Sequence, residues 1–192
     1  MLKILLASAT LVGLFGTAHA ATVTPATDYT LGEGNECGAG GFSACTFDGS
    51  PSIIKFENNA GNLVVGDINT AFPSITGDEF SFEKTFVDGE LIGIAFSFLM
   101  GLGDPGITAV IVKAGNNFAS TSDFSVVGNL FTGFVSTEDA GLFNKKGKAQ
   151  GVSHITFFDS YVPPSTIPLP AGGLLLVSAL GGLVALRRRK SV

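Results

Sequence analysis

Histidine and cysteine are the residues through which this sequence could perform acid–base or nucleophilic chemistry, and it contains only two of each: His19 and His154, Cys37 and Cys45. A nucleophile in hydrolysis or acyl transfer needs a base within hydrogen-bond reach. Ser153 precedes His154 in an alternating run, and neighbouring side chains of a strand point to opposite faces. We therefore expect His154 to be a hydrogen-bonded structural residue, and we assign no catalytic residue.

Cys37 and Cys45 could form a disulfide, contribute to a metal site or supply a nucleophile. A zinc site would need further cysteine or histidine ligands nearby, and a catalytic cysteine would need a histidine partner. An even pair of cysteines in an exported chain favours a disulfide, and the chain termini indicate export. In the chain-entropy model such a bond stabilises by about 2–3 kcal/mol. It would hold the glycine-rich residues 38–43 against the strand that contains Ser52.

Side-chain oxygens are the remaining candidate metal ligands, and they concentrate around one connection of the chain. They belong to Asp67, Asn69, Asp78, Glu79, Asp88, Glu90 and Asp104. The first four share the connection, and the last three could face it. Oxygen ligands at this density could hold Ca²⁺ weakly, but a solvated acidic rim is the favoured interpretation. We assign no metal ligand and expect no other cofactor. A glycosidase pair cannot be assigned, because the distance between two carboxylates in space defines it.

Residues 101–106 match the pattern G-x-G-x-x-G. In a dinucleotide site the last glycine opens a helix whose N-terminus receives the pyrophosphate. Here the β-branched run 107–113 follows, and this composition is typical of a central strand. The segment is therefore predicted to be a hairpin turn and not a nucleotide loop.

The region that must position these side chains, residues 21–160, is poor in helix formers and rich in short β-prone runs. Turn residues separate the runs, and Asp88-Gly89 is typical of a hairpin. Strands are predicted at residues 52–56, 63–65, 80–86, 91–100, 107–113, 124–127, 130–135 and 152–158. Eight short strands predict an all-β fold, an antiparallel β-sandwich that is jelly-roll-like. Most phenylalanines are expected in its core.

Three further parts of this region have a predicted place. Lys84 interrupts the apolar face of the strand 80–86, so we expect it near a strand end or a sheet edge. Residues 21–41 are polar and glycine-rich, which predicts an extended arm or a first edge strand. Residues 137–150 include Lys145, Lys146 and Lys148 and are predicted to be a solvated loop.

The charge of the same region excludes one class of partner. All sixteen acidic residues lie between Asp28 and Asp159, whereas only six of the eleven basic residues do, so its net charge is 6 − 16 = −10. Nucleic-acid binding needs clustered lysine and arginine. We therefore expect no nucleic-acid partner, and the acidity is consistent with solubility outside the cell.

The N-terminus, residues 1–20, has the features of a secretory signal peptide. Lys3 supplies the positive charge, residues 4–16 are apolar, and Ala18-His19-Ala20 is a small-x-small cleavage site. Cleavage is predicted between Ala20 and Ala21. The apolar run is short for a membrane-spanning helix, although a retained N-terminal anchor is the alternative. The expected partner of this segment is the Sec export machinery.

The C-terminus reads as a proline-rich stalk, a short membrane segment and a basic end. Residues 161–170 contain four prolines, which favours an extended polyproline-II-like chain. Residues 171–186 are apolar but shorter than the roughly twenty residues that a bilayer-spanning helix needs. Residues 187–192 begin with a basic cluster that indicates the cytoplasmic side. That cluster is Arg187, Arg188, Arg189 and Lys190.

This C-terminal pattern resembles the sorting signals of the PEP-CTERM family, in the variant whose motif is Val-Pro-Leu-Pro-Ala (VPLPA). The matching residues are Ile167, Pro168, Leu169, Pro170 and Ala171. Ile167 replaces the valine, a conservative difference. The motif, a membrane segment and a basic end occur in the same order as in that family. Residues 153–159 and 112–117 also resemble segments of PEP-CTERM proteins, to which no activity is attached.

The resemblance implies processing by an exosortase, a membrane enzyme of Gram-negative bacteria that cuts near the motif. Two alternatives are a plain single-pass anchor and a Leu-Pro-x-Thr-Gly sortase signal, although Gly172 stands where the sortase threonine would be. The expected fate is an inner-membrane precursor that is then delivered to the cell surface or extracellular matrix.

The expected role is structural or adhesive, in a biofilm or exopolysaccharide, and not enzymatic. The first alternative is a carbohydrate-binding, lectin-like module, with or without calcium, whose partner would be extracellular polysaccharide. The second is an exported hydrolase, which is the weaker because no nucleophile–base pair can be named.

Overall fold

Two antiparallel sheets make up the structure. The computed structural model describes residues 23, 25–37 and 41–159. The only helical element among these residues is a 3-10 turn, Phe42–Ala44. The strands are β1 (Thr30–Glu33), β2 (Thr46–Phe47), β3 (Ser50–Asn59), β4 (Asn62–Ile68), β5 (Phe80–Val87), β6 (Glu90–Leu99), β7 (Ile107–Ala114), β8 (Asn117–Thr121), β9 (Ser125–Val127), β10 (Leu130–Ser136) and β11 (His154–Asp159).

The large sheet has the strand order β1-β8-β7-β11-β3-β2, with β4 also paired to β3, and the small sheet has the order β5-β6-β10-β9. All pairs between these strands are antiparallel. The last strand of the described residues, β11, is therefore central and joins β7 to β3. The predicted all-β antiparallel sandwich is confirmed.

The inner faces of the two sheets meet in a core dominated by phenylalanine, as the sequence predicts. Phe157 of β11 is fully buried at its centre. The Phe157 ring centroid lies 4.7 Å from that of Phe80, 5.2 Å from that of Phe96 and 6.2 Å from that of Phe56. Clustered rings at these separations contribute beyond the area that they bury. The core thus depends on a strand that is added last.

Each predicted strand overlaps an observed one, and two local predictions are confirmed. Asp88 and Gly89 form the β5–β6 turn with φ values of 53° and 84°, the left-handed pair that a tight hairpin requires. Lys84 lies on β5, an edge strand, and its Nζ donates to the Gly61 carbonyl at 2.9 Å. Two observed strands, β2 and β8, are not among the predicted ones.

The prediction of a hairpin turn at residues 101–106 is wrong. These residues join β6 of the small sheet to β7 of the large one, because each of these strands pairs with other strands on both of its sides. Asp104 stabilises the crossing, since its Oδ2 accepts from the Gly101 amide at 2.7 Å. A strand and not a helix follows at Ile107, so the dinucleotide-type geometry is not formed.

The prediction of a solvated loop at residues 137–150 is wrong in part. Ala140 and Leu142 are buried in the main core, because these small and apolar side chains gain more from burial than from water. The lysines of the loop are exposed, and Lys148 forms an ion pair of 3.0 Å with Asp88.

Candidate functional site: the N-terminal arm and its cleft

Residues 25–47, which we call the N-terminal arm, connect the two sheets and then cover part of the large one; residues 38–40 of the arm lie outside the described chain. Pro25 forms a bridge to Phe134 of β10. The Tyr29 hydroxyl accepts from the Ser136 amide at 3.1 Å, and β1 then pairs with β8. The edge strand expected within residues 21–41 is therefore present.

Glu36 anchors the middle of the arm to the outer face of the large sheet. Its Oε1 is hydrogen-bonded to His154 Nε2 and accepts from Thr156 Oγ1 at 3.4 Å. The side chain of Glu36 is 1 % exposed and that of His154 15 %. Glu36 Oε2 is buried and has no hydrogen-bond partner among the described residues. The expected hydrogen bonding of His154 is confirmed.

Two opposing effects set the pKa of the Glu36 carboxyl. Burial raises this pKa, but the hydrogen bond and the charge of His154, with a smaller contribution from Lys113, lower it more. The net pKa lies below its ordinary value of 4.5. The carboxylate is therefore the favoured form in the folded protein, as expected for an acid whose ionised state is hydrogen-bonded.

The order of hydrogen bonds in this group determines what it can do chemically. The Thr156 hydroxyl donates to Glu36 and not to His154. In a nucleophile–base–acid relay the hydroxyl would bond to the histidine and the acid would bond to the other ring nitrogen. The observed arrangement instead places one carboxylate between two donors of the central strand β11, which fixes the arm to the sheet.

The disulfide predicted between Cys37 and Cys45 is present, with an S–S distance of 2.14 Å and a Cα–Cα distance of 4.8 Å. It contributes to a second, smaller apolar cluster with Ile111 and Phe158 on the outer face. The described end of the loop lies against Ser52, as expected, because the Ser52 amide donates to the Cys45 carbonyl at 2.9 Å.

A cleft of about 460 Å³ lies beside this second cluster; we call it the arm cleft. The lining includes the start of β1, the β2–β3 hairpin, β7, β8 and the residue after β8. In the strand order of the large sheet, β8 and β7 lie between β1 and the β2–β3 hairpin. The lining residues are Asp28, Tyr29, Thr30, Phe47, Asp48, Ser50, Thr108, Ala109, Ser120, Thr121 and Ser122. It therefore combines carboxylates, hydroxyls and two aromatic rings, and contains no basic side chain.

Several of the side chains considered for Ca²⁺ have partners within the protein. Asn69 is buried, and its Nδ2 donates to the Ser52 carbonyl at 2.8 Å. Glu79 accepts from the Gly77 amide at 2.8 Å, and Asp67 forms a 2.6 Å ion pair with Lys55. No group of three or more metal-ligating side chains forms among the residues that the structure describes.

The predicted sorting and export segments lie outside the described residues. These are the signal peptide with its cleavage site at Ala20 and Ala21, the stalk 161–170, the motif from Ile167 to Ala171, the segment 171–186 and the basic end from Arg187. Within residues 23–159, apart from the undescribed 24 and 38–40, no helix is long and apolar enough to cross a membrane.

Glu36 and the arm cleft could not be identified from the sequence. Glu36 is one of three acidic residues in the polar, glycine-rich segment 21–41, and its partner His154 is 118 positions away. The lining of the cleft comes from segments that only the strand order brings together. No family model matches the chain, and neither a curated protein nor a solved structure is significantly similar to it.

Proposed function

We propose that this protein is an exported component of the cell surface or extracellular matrix, released from the membrane by an exosortase-like enzyme, with a structural or adhesive role. The observation that carries the proposal is the Cys37–Cys45 disulfide within the sandwich, because such bonds persist in oxidising compartments. The signal peptide and the sorting motif that the sequence predicts support the same route. We also propose that the β-sandwich is jelly-roll-like.

The route is tested by the intact mass of the protein from the surface fraction of its native host. We expect a chain that starts at Ala21 and ends near Pro170 or Ala171. Replacing Pro168 and Pro170 with alanine should give a longer form that is retained in the membrane. A wild-type chain that still carries Arg187 would contradict exosortase processing and indicate a simple anchor.

The role is tested in a host strain that lacks the protein. We expect less cell-attached matrix, restored by the wild-type gene and not by the form with alanine at Pro168 and Pro170. Normal matrix and attachment in the deletion strain would contradict a structural or adhesive role.

A second candidate, a carbohydrate-binding module, is favoured by the arm cleft, since hydroxyls, carboxylates and aromatic rings are the groups that bind sugars. The hydrolase alternative is disfavoured because the Thr156 hydroxyl donates to Glu36 and not to His154. Loss of turnover of a generic ester or glycoside on His154→Ala would revive it.

A further inference from the structure

The arm cleft has the size and composition of a ligand site. Its volume of about 460 Å³ lies within the roughly 300–1,000 Å³ that is usual for small-molecule sites. The lining is mainly polar, and the three hydroxyl residues that β7 and β8 contribute, which we call the base of the cleft, are buried or half-buried: Thr108, Ser120 and Thr121. A polar site of this kind suits a ligand with many hydroxyl groups.

The two carboxylates of the cleft are free to bind. Asp28 and Asp48 are exposed, and neither side chain has a hydrogen bond or an ion pair with another described residue. Asp28 precedes β1 and Asp48 lies in the β2–β3 turn, so the two carboxylates come from different parts of the lining. An ionised carboxylate accepts strong, charge-assisted hydrogen bonds, so each can receive hydroxyl or amine donors of a ligand.

The hydroxyls of the base keep capacity for a ligand although some are already used. Ser120 Oγ donates to the Thr30 carbonyl at 3.3 Å, and Thr108 Oγ1 donates to the Phe158 carbonyl at 3.3 Å. A hydroxyl that has donated its proton still accepts through its oxygen. The base of the cleft is thus held in place by the protein and presents acceptors to the ligand.

Apolar surface is present beside these polar groups. The ring of Phe47 packs against the rings of Phe158 and Phe118, with centroid distances of 5.8 Å and 6.5 Å. Tyr29 is half-buried, and its hydroxyl is occupied by the Ser136 amide. Rings fixed in this way offer a face or an edge to the C–H surface of a sugar.

Charge decides the class of sugar. The lining contains two carboxylates and no lysine, arginine or histidine, and the domain carries a net charge of 6 − 16 = −10. The carboxylates of Asp28 and Asp48 would repel a negatively charged ligand in the cleft, so uronic acids, sulfated glycans and phosphates are disfavoured. An amine on the sugar would instead pair with Asp28 or Asp48.

We propose that the arm cleft binds a polysaccharide segment without acidic groups, and binds amino-sugar units more tightly than neutral ones. This inference rests on the proposed function, because it specifies the class of polysaccharide that a matrix protein of this kind would bind. It adds the site and its charge preference.

The test is calorimetric titration of the full-length protein in detergent with three probes: a glucosamine hexamer, a neutral glucose hexamer and a galacturonate hexamer. We expect binding of the first two, tightest for the glucosamine hexamer, and none of the galacturonate. The double variant Asp28→Asn/Asp48→Asn should bind the glucosamine hexamer at least ten-fold more weakly, because the loss of even one charge-assisted interaction of about 1.4 kcal/mol corresponds to a factor of ten.

Asp78→Asn removes an exposed carboxylate outside the cleft and should leave binding unchanged. The proposal is overturned if the galacturonate binds as well as the others, if neither of the first two probes binds, or if the double variant binds as the wild type does. These outcomes leave surface delivery untouched, because the intact mass of the native protein tests it separately.

Discussion

At the scale of single residues, Glu36 is a buried carboxyl whose ionised form is favoured in the folded protein. A buried charge costs several kcal/mol unless it is paired and hydrogen-bonded. Glu36 is stabilised by His154 and Thr156, yet its Oε2 has no partner among the described residues. Separation of the arm from the sheet would break these bonds, so the pair holds the arm in a specific position.

The pH dependence of stability follows from the lowered pKa of Glu36. A depressed pKa stabilises the fold above the unfolded value of 4.5, and this contribution is lost as the pH falls through the folded value. We expect the free energy of unfolding to decrease as the pH falls below about 4.5 in the wild type, with a smaller decrease in Glu36→Gln. Urea unfolding measured across this range gives both slopes.

Glu138→Gln, at an exposed loop position, is the matched control and should follow the wild-type slope. Equal slopes in the wild type and in Glu36→Gln would show that the buried carboxylate does not govern acid stability.

At the scale of elements, β11 contributes residues to both the core and the attachment of the arm. Its inward residues Ile155 and Phe157 are fully buried, while His154 and Thr156 face the arm. The outer face of this strand therefore binds the arm and its inner face fills the core. Both sheets and the arm depend on it.

Phe157→Ala should destabilise the fold by about 3–5 kcal/mol, the usual cost of removing a fully buried phenylalanine. Phe86→Ala, at an edge position that is 47 % exposed, should cost less than about 1 kcal/mol because little burial is lost. Denaturant unfolding of the two variants compares them directly. Similar costs would mean that the ring cluster around Phe157 is not the centre of the core.

Replacing Cys37 and Cys45 with serine tests the covalent link in the arm. We expect a loss of about 2–3 kcal/mol from loop closure alone, and the midpoint of urea unfolding under oxidising conditions measures it. Reducing agent should lower the midpoint of the wild type and leave that of the double variant unchanged. If reducing agent lowered the unfolding midpoint of both proteins, the disulfide would not be the cause of the wild-type decrease.

Local patterns predicted most elements because period-two alternation and turn residues act over a few positions. The Asp88-Gly89 hairpin and the eight strand regions were read in this way. The role of residues 101–106 could not be predicted from local patterns. The same turn residues occur whether the two flanking strands pair with each other or belong to different sheets. β8 follows Gly115 and Asn116 so closely that its run reads as part of a loop.

At the scale of the whole molecule, the N-terminal arm and the last strand meet although they are far apart in sequence. Thr30 pairs with Ser120, and Glu36 binds His154. No local pattern specifies such contacts, which is why the fold class was predictable and the site was not. The acidic character, by contrast, was predictable because charge is a sum over residues.

A chain that ends after Gly151 should lose cooperative unfolding, because removing β11 leaves β7 and β3 without their shared partner. A chain that lacks only residues 187–192 should keep the transition of the full chain in the same detergent. Near- and far-ultraviolet circular dichroism during thermal unfolding distinguishes the two. A cooperative transition in the shorter chain would show that the large sheet forms without its central strand.

The central place of the final strand also sets the order of events as the protein is made. Strands β1, β7 and β8 form one half of the large sheet and β2, β3 and β4 the other, and β11 is what joins them. Contacts between residues distant in sequence form slowly. The domain therefore cannot close until its residue 159 has left the ribosome and, for an exported chain, the translocation channel. Until then the two halves of the large sheet lack the strand that joins them.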